Sequence, residues 1–200
     1  MHGGKPSIRV VVGFVALSEQ RADARKNRER LLTVAARMVQ TGNLAPSFNE
    51  LAALAGVGVG TVYRHFPDQR ALLLALLEGP LAELEAIMAS CAGEPDAAKA
   101  LSLMVHGIVD LELRHAALGQ QLVSQDVELQ TSPRFVALNE NAEALLARAR
   151  KARVVRASVT GSDLRRLLCG IELAARSGPE PERSARRYVD ILLAGLRPSK

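Results

Sequence analysis

From residue 22 onward the apolar residues of this chain recur at three- and four-residue spacing. No stretch of useful length alternates in the two-residue rhythm of a strand. That pattern commits the chain to helices packed on helices. In RKNRERLLTVAARMVQTG the set Leu31, Leu32, Val34, Ala35, Met38 and Val39 falls on one face, and Gly42 ends the run. SFNE reads as a capping box, with Ser47 accepting from the Glu50 amide and Glu50 reaching back to Ser47. It predicts a short helix over 48–55, closed by Gly56, and a second over 58–65. Pro67 and Asp68 open a longer helix over 69–90, with Asp68 as its cap. Past the loop CAGEPDA, helical patterns return at 96–116, 119–129, 134–152, 162–176 and 182–196. Breaks are expected at Gly119, Pro133, Gly161 and the pair Pro179 and Pro181. The expected fold class is all-α. A three-helix unit occupies 21–68, and a linking helix with a larger helical bundle occupies 69–200.

A chain of 200 residues, 48% apolar, can bury a sizeable core. Ala, Leu and Arg dominate, and these lose little side-chain freedom in helices. The net charge is +5, and all of it lies in the first third: Met1 to Arg70 holds 10 Lys and Arg against 5 Asp and Glu. Such a segment suits phosphate binding, although a surplus of five also arises by chance. Cys91 and Cys169 stand 78 residues apart in apolar surroundings and form no metal-ligand pattern. Both read as buried free thiols of a reducing cytosol, so the expected location is cytoplasmic. The apolar run Val10 to Leu17 is short for a signal peptide and far short of the roughly 20 residues that span a bilayer. Residues 1–20 are expected to form a poorly ordered extension, and no membrane role is expected.

LAGVGVGTVYRHF, residues 54–66, places glycines at 56, 58 and 60. A dinucleotide fingerprint would need a third glycine one position later, where Thr61 stands, and a strand before it, where a capped helix stands. A helix-turn-helix fits better. Ala52 is small where two helices would cross, Gly56 tolerates the turn's positive φ, and Leu51, Ala55, Val57 and Val62 surround the crossing. Gly58 and Gly60 leave the start of the second helix bare, which brings its backbone close to a duplex at about 1 kcal/mol of helix propensity per glycine.

LAALAGVGVGTVYRHFPDQRALL resembles the DNA-binding signature of TetR/AcrR-type bacterial transcriptional regulators, and RERLLTVAARMVQTG resembles their first helix. The likeness is specific over 28–76. It implies that Ser47 and Thr61 contact phosphate, and that Tyr63 and His65 meet the DNA backbone. Val59, Gly60 and Arg64 would face the major groove, Arg64 reading guanine. Arg25 and Arg28 would lie near the adjacent backbone or minor groove, and Phe66 would anchor the unit on the linking helix. Two positions depart from the family pattern. Gln69 replaces a frequent Lys, so its phosphate contact passes to Arg70 or is lost, and Gly58 replaces a frequent Ser or Thr. Tyr63 and Phe66 are also spaced to share a core, and RARKARVVR, Arg148 to Arg156, is a rival basic patch that reads as a solvated face.

DLRRLLCGIELA and RRYVDILLAGLR resemble the last two helices of many members, which form the dimer interface. The resemblance thus implies a homodimer through about 162–176 and 182–196, on a palindromic operator in double-stranded DNA. It also implies an effector, a small molecule held among helices 80–152. Candidate lining residues are Met88, Met104, His106, Glu112, His115, Gln121, Phe135 and Glu172, each of which equally fits a core or solvent-facing place. The alternatives are a constitutive or weakly DNA-binding dimer, and a small helical enzyme. For the enzyme the sequence offers no HExxH, GxSxG or paired acidic motif, and it calls for neither cofactor nor metal.

Overall fold

The computed structural model describes the backbone of residues 8–43, 46–124 and 132–198, with side chains from residue 22 onward except 121–124. The described residues form α1 (Ile8–Gln40), α2 (Phe48–Ala55), α3 (Val59–His65), α4 (Gln69–Gly93), α5 (Ala97–Arg114), α6 (Ala116–Ser124), α7 (Pro133–Lys151), α8 (Gly161–Arg176) and α9 (Pro181–Gly195). No strand occurs among them, as the apolar spacing requires. No helix among them is long and apolar enough to cross a membrane.

Two compact units share the chain, Met1–Leu76 and Leu77–Lys200. The expected boundary at residue 68 moves into α4. Leu72 is fully buried in the first unit's core, and Ala75 and Leu76 pack against that core. Residues 8–20, expected to lie in a poorly ordered or loosely docked extension, are helical. A helix already nucleated at 22–40 extends backwards at one hydrogen bond per residue fixed, and Ala16, Leu17, Glu19 and Gln20 favour that extension.

In the first unit the apolar face of α1 (Leu31, Ala35, Met38) meets Phe48, Leu51, Ala52 and Ala55 of α2 and Val62 of α3. Ser47 caps α2 by accepting from the Glu50 amide at 3.1 Å. The return half of the expected box does not form, because the Glu50 carboxylate accepts instead from Asn43 Nδ2 at 3.0 Å. Gly56 ends α2 at φ +65°. The Val57 and Gly56 amides donate to the carbonyls of Ala52 (3.0 Å) and Ala53 (3.2 Å), a Schellman cap. A Cβ at Gly56 would meet nothing within 4 Å, so only the backbone conformation demands glycine. Gly56→Ala should therefore lower stability by about 1–2 kcal/mol, read as a shift in the denaturant midpoint with unchanged slope.

In the second unit α5 is central. Leu101, Met104, Val105 and Val109 pack with Leu138, Leu145, Leu146 and Ala149 of α7, Leu164 and Leu168 of α8, and Ala185 and Val189 of α9. Asp96 caps α5, Ser132 caps α7, and Thr160 with Asp163 forms a complete capping box on α8. The break expected at Gly119 falls instead at His115, whose φ of −115° and ψ of 17° cap α5. Gly119 lies inside α6, its amide donating to the His115 carbonyl at 3.0 Å. A helix interior tolerates one glycine at about 1 kcal/mol. The predicted helix 119–129 thus begins three residues early, and its 125–129 part lies outside the described residues.

The basic run Arg148 to Arg156 divides: Lys151, Arg153 and Arg156 are exposed, as a solvated face requires, while Arg148 and Arg150 are half-buried and turn their donors inward. The Arg148 guanidinium donates to the carbonyls of Cys91 (3.2 Å) and Glu94 (2.8 Å), and Arg150 donates to the Val159 carbonyl (3.0 Å) and pairs with Glu143. The Arg156 amide donates to the Leu196 carbonyl at 2.9 Å. These groups satisfy the carbonyls of neighbouring chain ends. Cys91 is buried as expected, but Cys169 lies on an exposed face of α8.

Candidate nucleic-acid interface and effector cavity

The short α3 buries Val62 and turns the rest of its surface outward. Val59, Gly60, Tyr63 and Arg64 are exposed, and Tyr63 is 56% accessible. The phenol ring leans edge-on against Phe48, with centroids 5.0 Å apart. Of the two sequence readings for Tyr63, burial in the core is excluded, while Phe66 is 1% exposed and central to it. Neither Gly58 nor Gly60 has positive φ, and a Cβ on either would meet nothing within 4 Å. The fold itself has no need of glycine there.

Arg28 and His65 lie beside this face. Arg28 is exposed, with its guanidinium 5.5 Å above the Phe66 ring centroid. His65 is half-buried. Burial first, then the charges of Arg28 and Arg64, push its pKa below the ordinary imidazole range, so at neutral pH it is an uncharged hydrogen-bonding group. Thr61 is half-buried, and Ser47 and Arg70 are exposed. Arg25 lies further along α1 and stands 3.8 Å from Glu29, a surface pair worth little. Gln69 is the exception. Its amide nitrogen is shut off from solvent, so as placed it offers no donor to a phosphate.

The second unit holds a cavity of about 510 Å³. Met88, Met104, Glu112 and Phe135, four of the eight candidates, line it. Three others do not. His106 faces Asp190 at 3.3 Å and His115 faces Glu83 at 3.5 Å, while Glu172 contacts Arg176 at 2.7 Å. The Gln121 side chain lies outside the described residues. The rest of the wall includes Leu84, Ile108, Leu138, Leu146, Leu164 and Leu168, with Arg165, Glu140 and Glu143. The sequence reading missed these leucines because an apolar residue facing a cavity has the same spacing as one facing a packed core. Burial pushes the Glu112 carboxyl up to a pKa of about 7, and Glu172 adds to it. No group of three or more His, Cys, Asp or Glu among the described residues could hold a metal ion.

Two helices joined by a glycine turn, the second exposed and resting on a helical core, define a helix-turn-helix DNA-binding regulator. Residues 31–76 match the family model described as bacterial regulatory proteins, tetR family. Residues 94–198 match the model described as transcriptional regulator SbtR-like, C-terminal domain. The chain belongs to the TetR family of transcriptional regulators. No match is found among curated proteins. Among solved structures, a TetR regulatory protein from Mycobacterium vanbaalenii is 30% identical, over 90% of this chain and 99% of that one, with a TM-score of 0.59. A TetR regulator from Streptomyces coelicolor is 28% identical, over 86% of this chain and 99% of that one, with a TM-score of 0.61. The regulator PfmR from Thermus thermophilus, 23% identical over 84% of this chain and 100% of its own, shares the fold at a TM-score of 0.66.

Proposed function

We propose that the protein is a ligand-responsive repressor that binds a palindromic operator as a homodimer in the cytoplasm. The observation that carries this reading is the outward face of α3, where two glycines that the fold does not require flank exposed Val59 and are followed by exposed Tyr63 and Arg64. Clearance for a partner's backbone explains them. Arg64 would read guanine, while Arg25, Arg28, Arg70, Ser47, Thr61, Tyr63 and His65 would hold the phosphates.

The homodimer is supported by α8 and α9. Leu167 and Leu173 of α8 and Ile191 of α9 are large apolar side chains left exposed, beside the exposed small residues Gly170, Ala174 and Ala194. Two such helices from each of two chains make a four-helix contact. Two-fold symmetry would set the α3 helices about 34 Å apart or somewhat more, which is what a palindrome requires. Effector control is supported by the cavity, whose size suits a small molecule. An effector acts only by preferring the geometry that does not fit DNA. A constitutive repressor would leave the cavity without a role.

A gel-shift titration with the inverted repeats flanking the gene tests the reading. With about six phosphates neutralised per dimer, by Arg25, Arg28 and Arg70 of each protomer, affinity should fall about thousandfold between about 50 and 200 mM salt. One palindrome should still be preferred over its scrambled version. Equal binding to both would refute operator recognition.

A further inference from the structure

The cavity wall is apolar at Leu84, Met88, Met104, Ile108 and Phe135, and Glu112 interrupts it. The Glu112 Oε2 is shut off from solvent and has no hydrogen-bond partner among the described residues. A buried carboxyl without a donor is costly, and a bound molecule that supplies one gains what the protein has left unmade. Charge decides which donor. The wall carries Glu112, Glu140 and Glu143 against the one cation Arg165. Glu140 is exposed and Glu143 is satisfied by Arg150, which leaves Glu112 as the inner carboxyl. From α8, the charge of Glu172 reaches it, exposed Cys169 lies within the field of both carboxylates, and Glu172 has Arg176 as its own counter-charge. From α6, Gln120, oriented to satisfy both partners, accepts from Arg176 at 2.8 Å and brings no further positive charge. Arg165 is exposed and its charge reaches Cys169, but among the described residues no cation pairs with Glu112 itself.

We propose that the effector is an amphipathic organic cation, an apolar chain or ring system ending in a protonated amine, with the amine seated beside Glu112. This rests on reading the cavity as the effector site. The apolar body fills the space between α4, α5 and α7, and the ammonium donates to the carboxylate. A neutral alcohol of the same length forfeits the charge-assisted bond, and a carboxylic acid meets like charges.

Three ligands with one eight-carbon chain separate the possibilities: octylamine, octanol and octanoate, titrated calorimetrically into the full-length protein below micellar concentrations. Octylamine should bind at least about tenfold more tightly than octanol, and octanoate more weakly than both. The Glu112 carboxyl is pushed up to about 7. Its ionised fraction, and with it octylamine affinity, should therefore rise about tenfold from about pH 6 to about pH 8. Octanol affinity should not change. Glu112→Gln should abolish both the head-group preference and its pH dependence, while octanol still binds. Octanol or octanoate binding as tightly as octylamine would overturn the cation while leaving the cavity as an effector site. If none of the three binds the wild-type protein, the proposal and the effector reading fall together.

Discussion

Combining Tyr63→Ala with Arg64→Ala should cost about a thousandfold in operator affinity and leave the dimer and its helical content intact. The size follows from the contacts proposed above for each residue. A bidentate Arg–guanine pair is worth about 1–3 kcal/mol per half-site, and a phenol donating to phosphate about 1 kcal/mol. Two half-sites double both, so a loss of about 4 kcal/mol, or a thousandfold, lies at the low end. The fold should survive because both side chains are exposed, and the packing contact of Tyr63 is a T-shaped one with Phe48, ring centroids 5.0 Å apart. Losing that contact costs about 0.5–1.5 kcal/mol. Single variants divide the roles. Tyr63→Phe keeps the ring on Phe48 and removes the hydroxyl, so it should weaken all DNA alike. Arg64→Ala should relax preference at one base position of each half-site. Gel shifts on the operator and a scrambled duplex read both effects, and thermal unfolding checks the fold. Full operator binding by a folded double variant would remove α3 from the interface.

The N-terminal unit was the most legible part of the chain because its signals are local. A cap is written in three or four residues: Ser47 and the Glu50 amide, Gly56 at positive φ, Asp68 accepting from the Ala71 amide at 2.7 Å. α2 and α3 accordingly begin and end within one residue of the predicted bounds. What failed depends on distant partners. Asn43 takes the Glu50 carboxylate that the capping box assigned to Ser47. Arg148 looked like a solvated charge, yet its donors meet carbonyls more than 50 residues away. No spacing rule contains that information. Gly119 misled because glycine marks a helix end only where the backbone needs positive φ, and there it does not. The cavity was half legible. Polar or bulky residues in apolar helices could be named, but whether they face the cavity is set by helix rotation about α5. Thus Glu112 lines it while His106, six residues earlier, faces Asp190.

Glu112→Gln should stabilise the protein against unfolding at pH 8 and do little at pH 5. In the folded chain, burial and then the neighbouring Glu172 hold the Glu112 carboxyl at about 7, against 4.5 for the ordinary group. A raised folded value means the native state keeps its proton where the unfolded chain has lost it. The stability so gained is full below the unfolded value and drains away as pH climbs through the folded one. Above neutrality the carboxylate is ionised inside an apolar wall, at a cost of about 3 kcal/mol relative to acid conditions. Glutamine has no charge to bury, so the variant escapes this loss. Its amide also wants hydrogen-bond partners, and that penalty of about 1 kcal/mol is the same at every pH. The diagnostic quantity is therefore the change with pH in the difference between variant and wild type. Groups that do not interact with Glu112 contribute equally to both proteins and cancel. A difference growing by about 3 kcal/mol corresponds to about 6–12 °C in Tm for a chain of this size. Melting curves of both proteins that stay parallel from pH 5 to 8 would mean that Glu112 is solvated. An amine bound beside Glu112 should supply the missing counter-charge and so restore the wild-type protein's alkaline stability, and it should do less for the variant.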